Sequence, residues 1–250
     1  MPRINFSALS TRTVLGRIAR QPLRLIPDGA VVRILQGPLR GYRWIKGASV
    51  NGCWLGSFEQ DKQVLFSTLV RPGQTVLDIG ANVGFYTLLA AELVGKSGRV
   101  VSFEPLPRNQ HYLREHVRLN GLTNVTLIEA AVADREGRAS FASADAPEMG
   151  RLSDEGQLEV EVVSLDGAIA AGRVPVPDLM KIDVEGAEAR VLEGARNLLA
   201  TRRPTILLAT HGAEVHRRCC DLLREAGYEL TAVGGGSIDA TDELLAKAAA

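Results

Sequence analysis

Residues 75–84 read TVLDIGANVG and decide the fold that we expect for this chain. A run of strand-forming residues ends at an acid, Asp78, and the chain continues through Gly80, Asn82 and Gly84 into the helical pattern FYTLLAAELVG. This order indicates a strand, a tight glycine turn and a helix N-terminus. Glycines let the backbone approach a small molecule closely, and the free N–H groups of a helix start favour polar or anionic groups. The stretch therefore predicts a binding site for a nucleoside-bearing cofactor.

Strand and helix patterns alternate through most of the chain after residue 74. Such alternation is typical of βαβ units, so we predict an α/β fold, doubly wound around a mostly parallel sheet. The predicted strands are 75–79, 99–104, 124–129, 178–183, 204–210 and 228–233, and the predicted helices are 84–95, 108–120, 186–200 and 213–226. Between them, 132–141 is expected to form a hairpin, and 143–157 a loop long enough to be a lid.

The first 56 residues differ from the rest in pattern, and we predict that they form an N-terminal extension to a main domain of residues 57–250. Residues 9–20 have helical spacing. Two short strand patterns, 30–35 and 42–45, are joined by a turn-rich segment and predict a hairpin outside the main sheet.

The extension is also strongly basic. Residues 1–50 hold nine lysines and arginines and one acid, Asp28, although the whole chain has 29 basic and 29 acidic residues. The basic arm either packs on the acidic body or contacts a membrane surface peripherally, and both interpretations stay open. Because the whole chain is neutral, we do not expect nucleic acid as a partner.

The composition is that of an ordinary globular protein, with 46% hydrophobic and 23% charged residues. There is no run of eighteen apolar residues, so we expect no transmembrane helix. The three cysteines include an adjacent pair, and we interpret them as free thiols of a reducing compartment, the cytoplasm. Their spacing does not suit a structural zinc site.

The acid before the glycine turn separates two classes of nucleotide cofactor. Dinucleotide sites use GxGxxG and place the pyrophosphate at the turn, where a carboxylate such as Asp78 would repel it. A ligand with cationic groups and no phosphate suits Asp78 better, and S-adenosylmethionine carries both an ammonium and a sulfonium. Glu104, at the end of the next strand, can accept hydrogen bonds from ribose hydroxyls. A nicotinamide-dependent oxidoreductase stays open as an alternative.

A second group of polar residues lies at the ends of two later strands. The stretch KIDVEGAE brings Lys181, Asp183 and Glu185 to the end of one strand, and His211 ends the next. Ligands bind at this edge of open α/β sheets, so we expect Asp183, Glu185 or His211 to orient or deprotonate an acceptor. A Lys181 ion pair, or His211 as a helix cap, would be a purely structural explanation. The three base candidates could hold a divalent cation, but we predict no metal.

Several linked motifs, DIGANVGFYT, FEPLPRN, AVAD, KIDVEGAE and ATH, resemble those of the FkbM family of class I methyltransferases in the family's order. The resemblance covers roughly residues 50–230. It implies a Rossmann-like, seven-stranded sheet and S-adenosyl-L-methionine as the cofactor. It also implies which residues bind that cofactor: Asp78, Gly80, Asn82 and Gly84 on the methionine and ribose side, Glu104 at the ribose hydroxyls, and Asn109 and Asp134 near the adenine.

Two of the candidate residues also have a local structural explanation. Glu59 lies in GCWLGSFE, which resembles the family and implies contact with cofactor or substrate. Ser57 followed by Gln60 fits a capping box, however, and an acid in the first helical turn needs no ligand. Asp134 begins DREG, a sequence typical of a β-turn.

The resemblance implies a methyltransferase that acts on a hydroxyl of a sugar, a glycan or another natural-product small molecule. Transfer would be an in-line displacement, in which positioning supplies most of the catalysis. Lys181, Asp183, Glu185 and His211 are the predicted catalytic residues on the acceptor side. A non-catalytic module that binds S-adenosylmethionine is a second alternative to the enzyme.

Overall fold

A computed structural model describes residue 23 and residues 25–143, 150–152 and 158–249 of the chain. The strands are short, and several belong to sheets other than the central one. Numbered along the chain, they are β1 (Val31–Arg33), β2 (Arg43–Ile45), β3 (Thr75–Ile79), β4 (Arg99–Phe103), β5 (Val125–Ile128), β6 (Ala130–Val132), β7 (Gly137–Ser143), β8 (Gly150–Leu152), β9 (Leu158–Val163), β10 (Leu179–Ile182), β11 (Thr205–Ala209), β12 (Tyr228–Ala232) and β13 (Glu243–Ala248).

The helices follow the strands in the expected alternation. They are α1 (Gly52–Leu55), α2 (Gln60–Leu69), α3 (Phe85–Val94), α4 (Pro107–Leu119), α5 (Leu165–Ala170), α6 (Glu188–Glu193), α7 (Arg196–Thr201) and α8 (Ala213–Glu225), with a short 3-10 helix at Ile238–Ala240. Within the described part of the chain, no helix combines the length and the apolar character needed to cross a membrane.

The central sheet has seven of the described strands, in the spatial order β12-β13-β11-β10-β3-β4-β5. The strands from β11 to β5 are parallel, and β13 is antiparallel to both of its neighbours. Side chains of β3 alternate between two cores, with Leu77 and Ile79 in one and Val76 in the other. Each face of the sheet is therefore covered, which confirms the predicted doubly wound α/β fold.

The register of the parallel strands brings the candidate residues together. Asp78 on β3 lies opposite Lys181 on β10 and opposite Ser102 on β4. Because the strands are parallel, the residues that follow them leave the sheet at the same edge. Gly80, Glu104 and Asp183 are therefore neighbours in space although they are far apart in the sequence.

The strand β13 is absent from the sequence prediction, because ELLAKA consists of residues that favour helices. In the structure it lies between β11 and β12, and Leu244 and Ala246 are fully buried. Pairing on both sides and burial of alternate side chains outweigh a helix preference, which is at most about 1 kcal/mol per residue. The neighbouring strands, rather than local preference, determine this element.

The predicted hairpin at 132–141 is wrong. β6 and β7 do not pair with each other, because β9 lies between them, parallel to β6 and antiparallel to β7. The three strands and β8 form a second sheet of four described strands, in the order β6-β9-β7-β8. Of the predicted lid loop, 144–149 and 153–157 lie outside the described residues, and Gly150–Leu152 pairs with β7.

Two further helix predictions are wrong in detail. The helix expected at 186–200 is divided into α6 and α7 at Gly194, whose backbone passes so close to Ala133 that an added Cβ would lie 2.0 Å from the Ala133 carbonyl oxygen. The predicted N-cap, Ser57, lies two residues before the observed one. Helix α2 begins at Gln60 with Glu59 as its N-cap, and Glu59 has a left-handed φ of 44° and makes no capping hydrogen bond through its side chain.

The N-terminal hairpin packs on the central domain. β1 and β2 pair in a separate two-stranded sheet, as predicted, and Trp44 stacks on His116 of α4 at 3.9 Å between ring centroids. His116 is fully buried, donates from Nδ1 to the Val83 carbonyl at 2.8 Å and accepts from the Ile45 N–H at 3.0 Å. Burial lowers the pKa of His116 to about 4, consistent with a neutral ring that serves as both donor and acceptor.

The helix predicted at 9–20 lies outside the described residues, so the boundary between an extension and a main domain at residue 56 stays a prediction. The three cysteines, Cys53, Cys219 and Cys220, are free and buried, which confirms the prediction of free thiols.

Candidate active site

A cavity of about 370 Å³ opens at the edge where β3, β4, β10 and β11 end. The glycine turn and the start of α4 line one side, which we call the cofactor side. The ends of β10 and β11, together with α2 and the start of β13, line the other, which we call the acceptor side. Ser49, Val50 and Cys53 also line the cavity, so the chain before residue 57 contributes to it.

The glycine turn is built by close backbone approach. Gly80 has a left-handed φ of 79°, and a Cβ there would lie 1.9 Å from the carbonyl oxygen of Asp183. The N–H groups of Gly80 and Ala81 donate to the Phe103 carbonyl at 3.1 and 2.9 Å. Only glycine satisfies both the positive φ and the contact, so the turn brings the ends of β3, β4 and β10 together.

Gly84, which was predicted to bind the cofactor, packs against a neighbouring helix. Its φ is 94° and it is the N-cap of α3, but its missing side chain faces Leu113 of α4, where a Cβ would lie 3.0 Å from Cγ. It does not line the cavity, whereas Gly80 and Asn82 do. Gly84 therefore allows α4 to pack against the turn.

Glu104 lies on the cofactor side and is 4% exposed. Its carboxylate accepts from the Asn82 N–H at 2.8 Å, the Leu106 N–H at 2.9 Å and Asn109 Nδ2 at 3.4 Å. Burial raises the pKa of Glu104 to about 7. The donors hold an acceptor group at the cavity wall, which suits the hydrogen bonding of two adjacent hydroxyls.

Asp78 is 1% exposed and lies behind the cavity wall rather than in it. Thr87 of α3 donates to its Oδ2 at 2.6 Å, and Lys181 Nζ lies 3.8 Å from its Oδ1. Burial raises the pKa of Asp78, against the opposing effect of Lys181. Any influence of Asp78 on a cofactor is therefore transmitted through Lys181 and the turn.

Lys181 forms the ion pair that was the structural alternative for this motif. Its Nζ lies 3.2 Å from Asp183 Oδ2 and over the Tyr86 ring, 5.1 Å from the centroid. Burial alone would lower the pKa of Lys181, but the charges of Asp183 and Asp78 raise it above its usual value. Burial alone would raise the pKa of Asp183, but Lys181 lowers it. Lys181 is thus a fixed cation and cannot act as a base at neutral pH.

His211 lies among three carboxylates. Its Nδ1 donates to Glu188 Oε1 at 2.9 Å, and its Nε2 lies 3.5 Å from Glu185 and 3.8 Å from Asp183. The hydrogen bond to Glu188 raises the pKa of His211 to about 9, with further contributions from the Glu188, Glu185 and Asp183 charges. The ring is therefore protonated at neutral pH in the free site, whereas its unperturbed pKa is near 6.5.

Glu188 is the residue that positions His211, and it was not among the predicted site residues. It is fully buried and also accepts from the Val184 and Gly186 N–H groups at 3.2 and 3.0 Å. Its sequence signal was the last acid of KIDVEGAE, which lies in the first turn of the helix predicted at 186–200. The hydrogen bond sets the tautomer of a neutral His211, leaving Nε2 as the atom that faces the cavity.

Glu59 does line the cavity and belongs to a charged cluster on the acceptor side. It accepts from the Tyr86 hydroxyl at 2.8 Å and pairs with Lys62 at 3.1 Å, and Lys62 also pairs with Glu243 at the start of β13. Lys62, Tyr86 and Glu243 were not predicted. Lys62 could have been found from its i, i+3 spacing to Glu59, but Glu243 depends on the unexpected strand.

Most of the remaining predicted residues line the cavity, and Asp134 does not. Lys181, Asp183, Glu185 and His211 all line the acceptor side, and Asn109 lines the cofactor side. Asp134 does not line the cavity, because it follows β6 away from it and pairs with Arg190 at 2.8 Å. The turn residue Asp134 thus has a structural partner, and its predicted place near adenine gains no support.

Asp183, Glu185 and His211 offer ligand atoms that lie within 4.8 Å of one another. A divalent cation could fit such a group of two carboxylates and one imidazole. The absence of a metal, expected from the sequence, stays a prediction.

Residues 78–230 match the family model described as the Methyltransferase FkbM domain. The chain belongs to the FkbM methyltransferase family. It is an S-adenosylmethionine-dependent methyltransferase, as the motifs around the cavity predicted, and the nicotinamide alternative is set aside.

Two similar proteins and one similar solved structure cover 59% to 74% of the chain. Hexuronic acid methyltransferase AglP of Haloferax volcanii is 28% identical over 171 residues, 67% of this chain and 69% of AglP. The 2-O-methyltransferase NoeI of Sinorhizobium fredii is 30% identical over 167 residues, 59% of this chain and 67% of NoeI. The crystal structure of methyltransferase FkbM from Methylobacillus flagellatus KT superposes with a TM-score of 0.53 at 19% identity. That match covers 74% of this chain and half of the other, and it shows the fold.

The residues of this FkbM chain fit S-adenosylmethionine. The buried Glu104 carboxylate is available for the ribose hydroxyls, and Leu106, Ala131 and Val132 offer an apolar wall for the adenine. The carboxylates on the acceptor side suit the positive charge of the sulfonium and the ammonium. Gly80, Asn82 and Asn109 would complete the cofactor side, whereas Asp78 and Gly84 support it from behind.

Replacing Glu104 tests the cofactor side. Glu104→Ala is expected to weaken binding of S-adenosylmethionine by about 10- to 100-fold, because hydrogen bonds to a charged group contribute about 1.5–3 kcal/mol. Isothermal titration calorimetry measures the affinity, and a thermal melt checks that the variant is folded. The control is Glu129→Ala, which removes an exposed acid outside the cavity. Equal affinities in the wild type and Glu104→Ala would refute the assignment.

Proposed function

We propose that this protein transfers a methyl group from S-adenosylmethionine to a hydroxyl oxygen of a sugar, a glycan or another natural-product small molecule. The observation that carries the proposal is the buried Glu188 carboxylate behind His211, which directs Nε2 toward the acceptor side. Sugars are favoured by the relatives, since AglP is named for hexuronic acid and NoeI as a 2-O-methyltransferase. A hydroxyl is a weak nucleophile, so a base in this position is useful.

The chemistry divides between cofactor and protein. Bound S-adenosylmethionine would supply an electrophilic methyl group on a good leaving group. The protein holds the acceptor oxygen in line with that methyl group, within about 3–3.5 Å of the carbon, which removes much of the entropic barrier. Asp183 and Glu185 are the groups that can orient the acceptor hydroxyls, because both line the cavity beside His211.

His211 acts as the base in this proposal. In its neutral form the Nδ1–H donates to Glu188, and Nε2 accepts the proton of the attacking hydroxyl as the oxygen–carbon bond forms. The Glu188, Glu185 and Asp183 carboxylates stabilise the imidazolium that results. Because these same charges raise the pKa of His211 to about 9, only a small part of the free enzyme holds the base form at neutral pH.

The base assignment predicts separate effects on turnover and on cofactor binding. His211→Ala is expected to lower kcat by about 10²- to 10⁴-fold, the usual contribution of a positioned base, with the affinity for S-adenosylmethionine within about twofold of the wild type. Transfer of a radiolabelled methyl group to a panel of sugars measures turnover. The control is His111→Ala, an exposed histidine outside the cavity. Unchanged turnover in His211→Ala would contradict the assignment of His211 as the base.

The pH dependence follows from the pKa of His211. Because the neutral ring is the active form, kcat/KM of the wild type is expected to rise with pH. The rising limb of the pH profile should have its midpoint near pH 9. Glu188→Gln keeps an oxygen for the backbone N–H groups but removes the charge that stabilises the imidazolium. The limb should therefore move to lower pH, toward about 6.5.

Glu193→Gln is the matched control for this profile, because Glu193 ends the same helix and pairs with Arg218 outside the cavity. It should leave the limb in place. A limb that stays near pH 9 in Glu188→Gln would contradict the proposed link between Glu188 and the base.

The prediction of no metal is tested by chelation. At neutral pH the protonated His211 already places a positive charge beside Asp183 and Glu185, and a protonated Nε2 has no lone pair for a metal. Activity is expected to be unchanged after treatment with EDTA and removal of the chelator by gel filtration. A loss of activity that Mg²⁺ restores would show that a cation binds there.

A further inference from the structure

The acceptor side carries more acids than cations. Its carboxylates lie at the N-cap of α2, in the segment that follows β10 and at the start of β13, and they are Glu59, Asp183, Glu185, Asp242 and Glu243. The described cations of the same wall are Lys62, Lys181 and His211. The excess of acids persists even when His211 is protonated.

Two of these cations are already engaged by more than one carboxylate. Lys62 pairs with Glu59 at 3.1 Å and with Glu243, and its side chain is only 10% exposed. Lys181 pairs with Asp183 at 3.2 Å and lies 3.8 Å from the buried Asp78, and its side chain is 7% exposed. To bind an acceptor anion, either lysine would have to exchange an existing partner for it.

His211 is engaged in the same way. Glu188 holds Nδ1 at 2.9 Å, and Glu185 and Asp183 flank Nε2 at 3.5 and 3.8 Å. No cation on the described acceptor wall is therefore left over for a carboxylate, phosphate or sulfate of the substrate. An anion placed there would lose its hydration and meet a wall of the same sign.

We propose that the acceptor is a sugar or polyol without an anionic group, and that the methyl group goes to a neutral hydroxyl rather than to a carboxylate. This inference rests on the proposed function and narrows its substrate class. The excess acids also attract the positively charged cofactor. The same negative charges repel an anionic acceptor bound beside it. The chain would therefore differ in specificity from AglP, whose name specifies hexuronic acid.

Asp242 is the member of this wall that best tests specificity without disturbing the base. It is exposed at the cavity edge, and its backbone carbonyl accepts from the Thr210 N–H at 2.7 Å and from the Thr210 hydroxyl at 3.1 Å. Those contacts use the main chain, so Asp242→Asn retains them and changes only the charge. Asp239 is exposed, lies three residues away and does not line the cavity, which makes Asp239→Asn a matched control.

The experiment compares three acceptors of one shape, the methyl glycosides of glucose, glucosamine and glucuronic acid, with radiolabelled S-adenosylmethionine. The glucose and glucosamine glycosides are expected to have kcat/KM at least about tenfold above that of the glucuronide. The reason is that the unpaired carboxylate of the glucuronide would lie near carboxylates of the acceptor side. Asp242→Asn should raise the relative rate on the glucuronide by about threefold, the effect of one partly screened charge. Asp239→Asn should not change it, and high salt should reduce the discrimination.

Each outcome has a distinct meaning. A kcat/KM for the glucuronide equal to or above that of the glucoside would overturn the inference while leaving the proposed function intact. So would a labelled product that mild alkali cleaves, because that is the behaviour of a methyl ester and not of a methyl ether. No transfer to any of the three glycosides would contradict the sugar acceptor of the proposed function, and the inference would fall with it.

Discussion

The ion pairs of one buried lysine hold this site together. Lys181 lies between Asp78 on β3 and Asp183 after β10, so one side chain links the strand that carries the cofactor turn to the strand that carries the acceptor residues. Removing one partner from such a group leaves a buried charge without compensation, at a cost of about 3–5 kcal/mol. The positions of the glycine turn, of Asp183 and of the Tyr86 ring below the ammonium all depend on this arrangement.

Around that lysine the cavity has two electrostatic regions. On the cofactor side a single carboxylate, Glu104, is held by backbone N–H groups and faces neutral or apolar neighbours. On the acceptor side, acids and cations form two groups of ion pairs, one around Lys62 and one from Lys181 to His211, with Tyr86 in contact with both. The first region is suited to neutral hydroxyls and a flat ring, and the second to a positive charge and a proton transfer. Donor and acceptor can thus be recognised by different physical interactions within one cavity.

The parts of this site that the sequence predicted are those determined by local pattern and strand order. Asp78, Glu104, Asp183 and His211 each end a strand or follow one, and parallel strands must bring such residues to one edge. The parts it did not predict depend on tertiary contacts. Glu243 reaches the cavity only because ELLAKA is inserted as a strand, and β6 and β7 are separated only because β9 pairs with both. The close contact of Gly84 with Leu113 of α4 likewise depends on helix packing that the local pattern does not contain.

The neutral His116 gives the N-terminal hairpin a thermodynamic connection to the cofactor turn. One ring nitrogen donates to the carbonyl of Val83, in the turn, and the other accepts from Ile45, in the hairpin. A movement of the turn at Val83 would change one hydrogen bond of this ring, and a movement of the hairpin at Ile45 would change the other. Any factor by which cofactor binding favoured this position of the hairpin would, by linkage, equal the factor by which the hairpin favoured the cofactor.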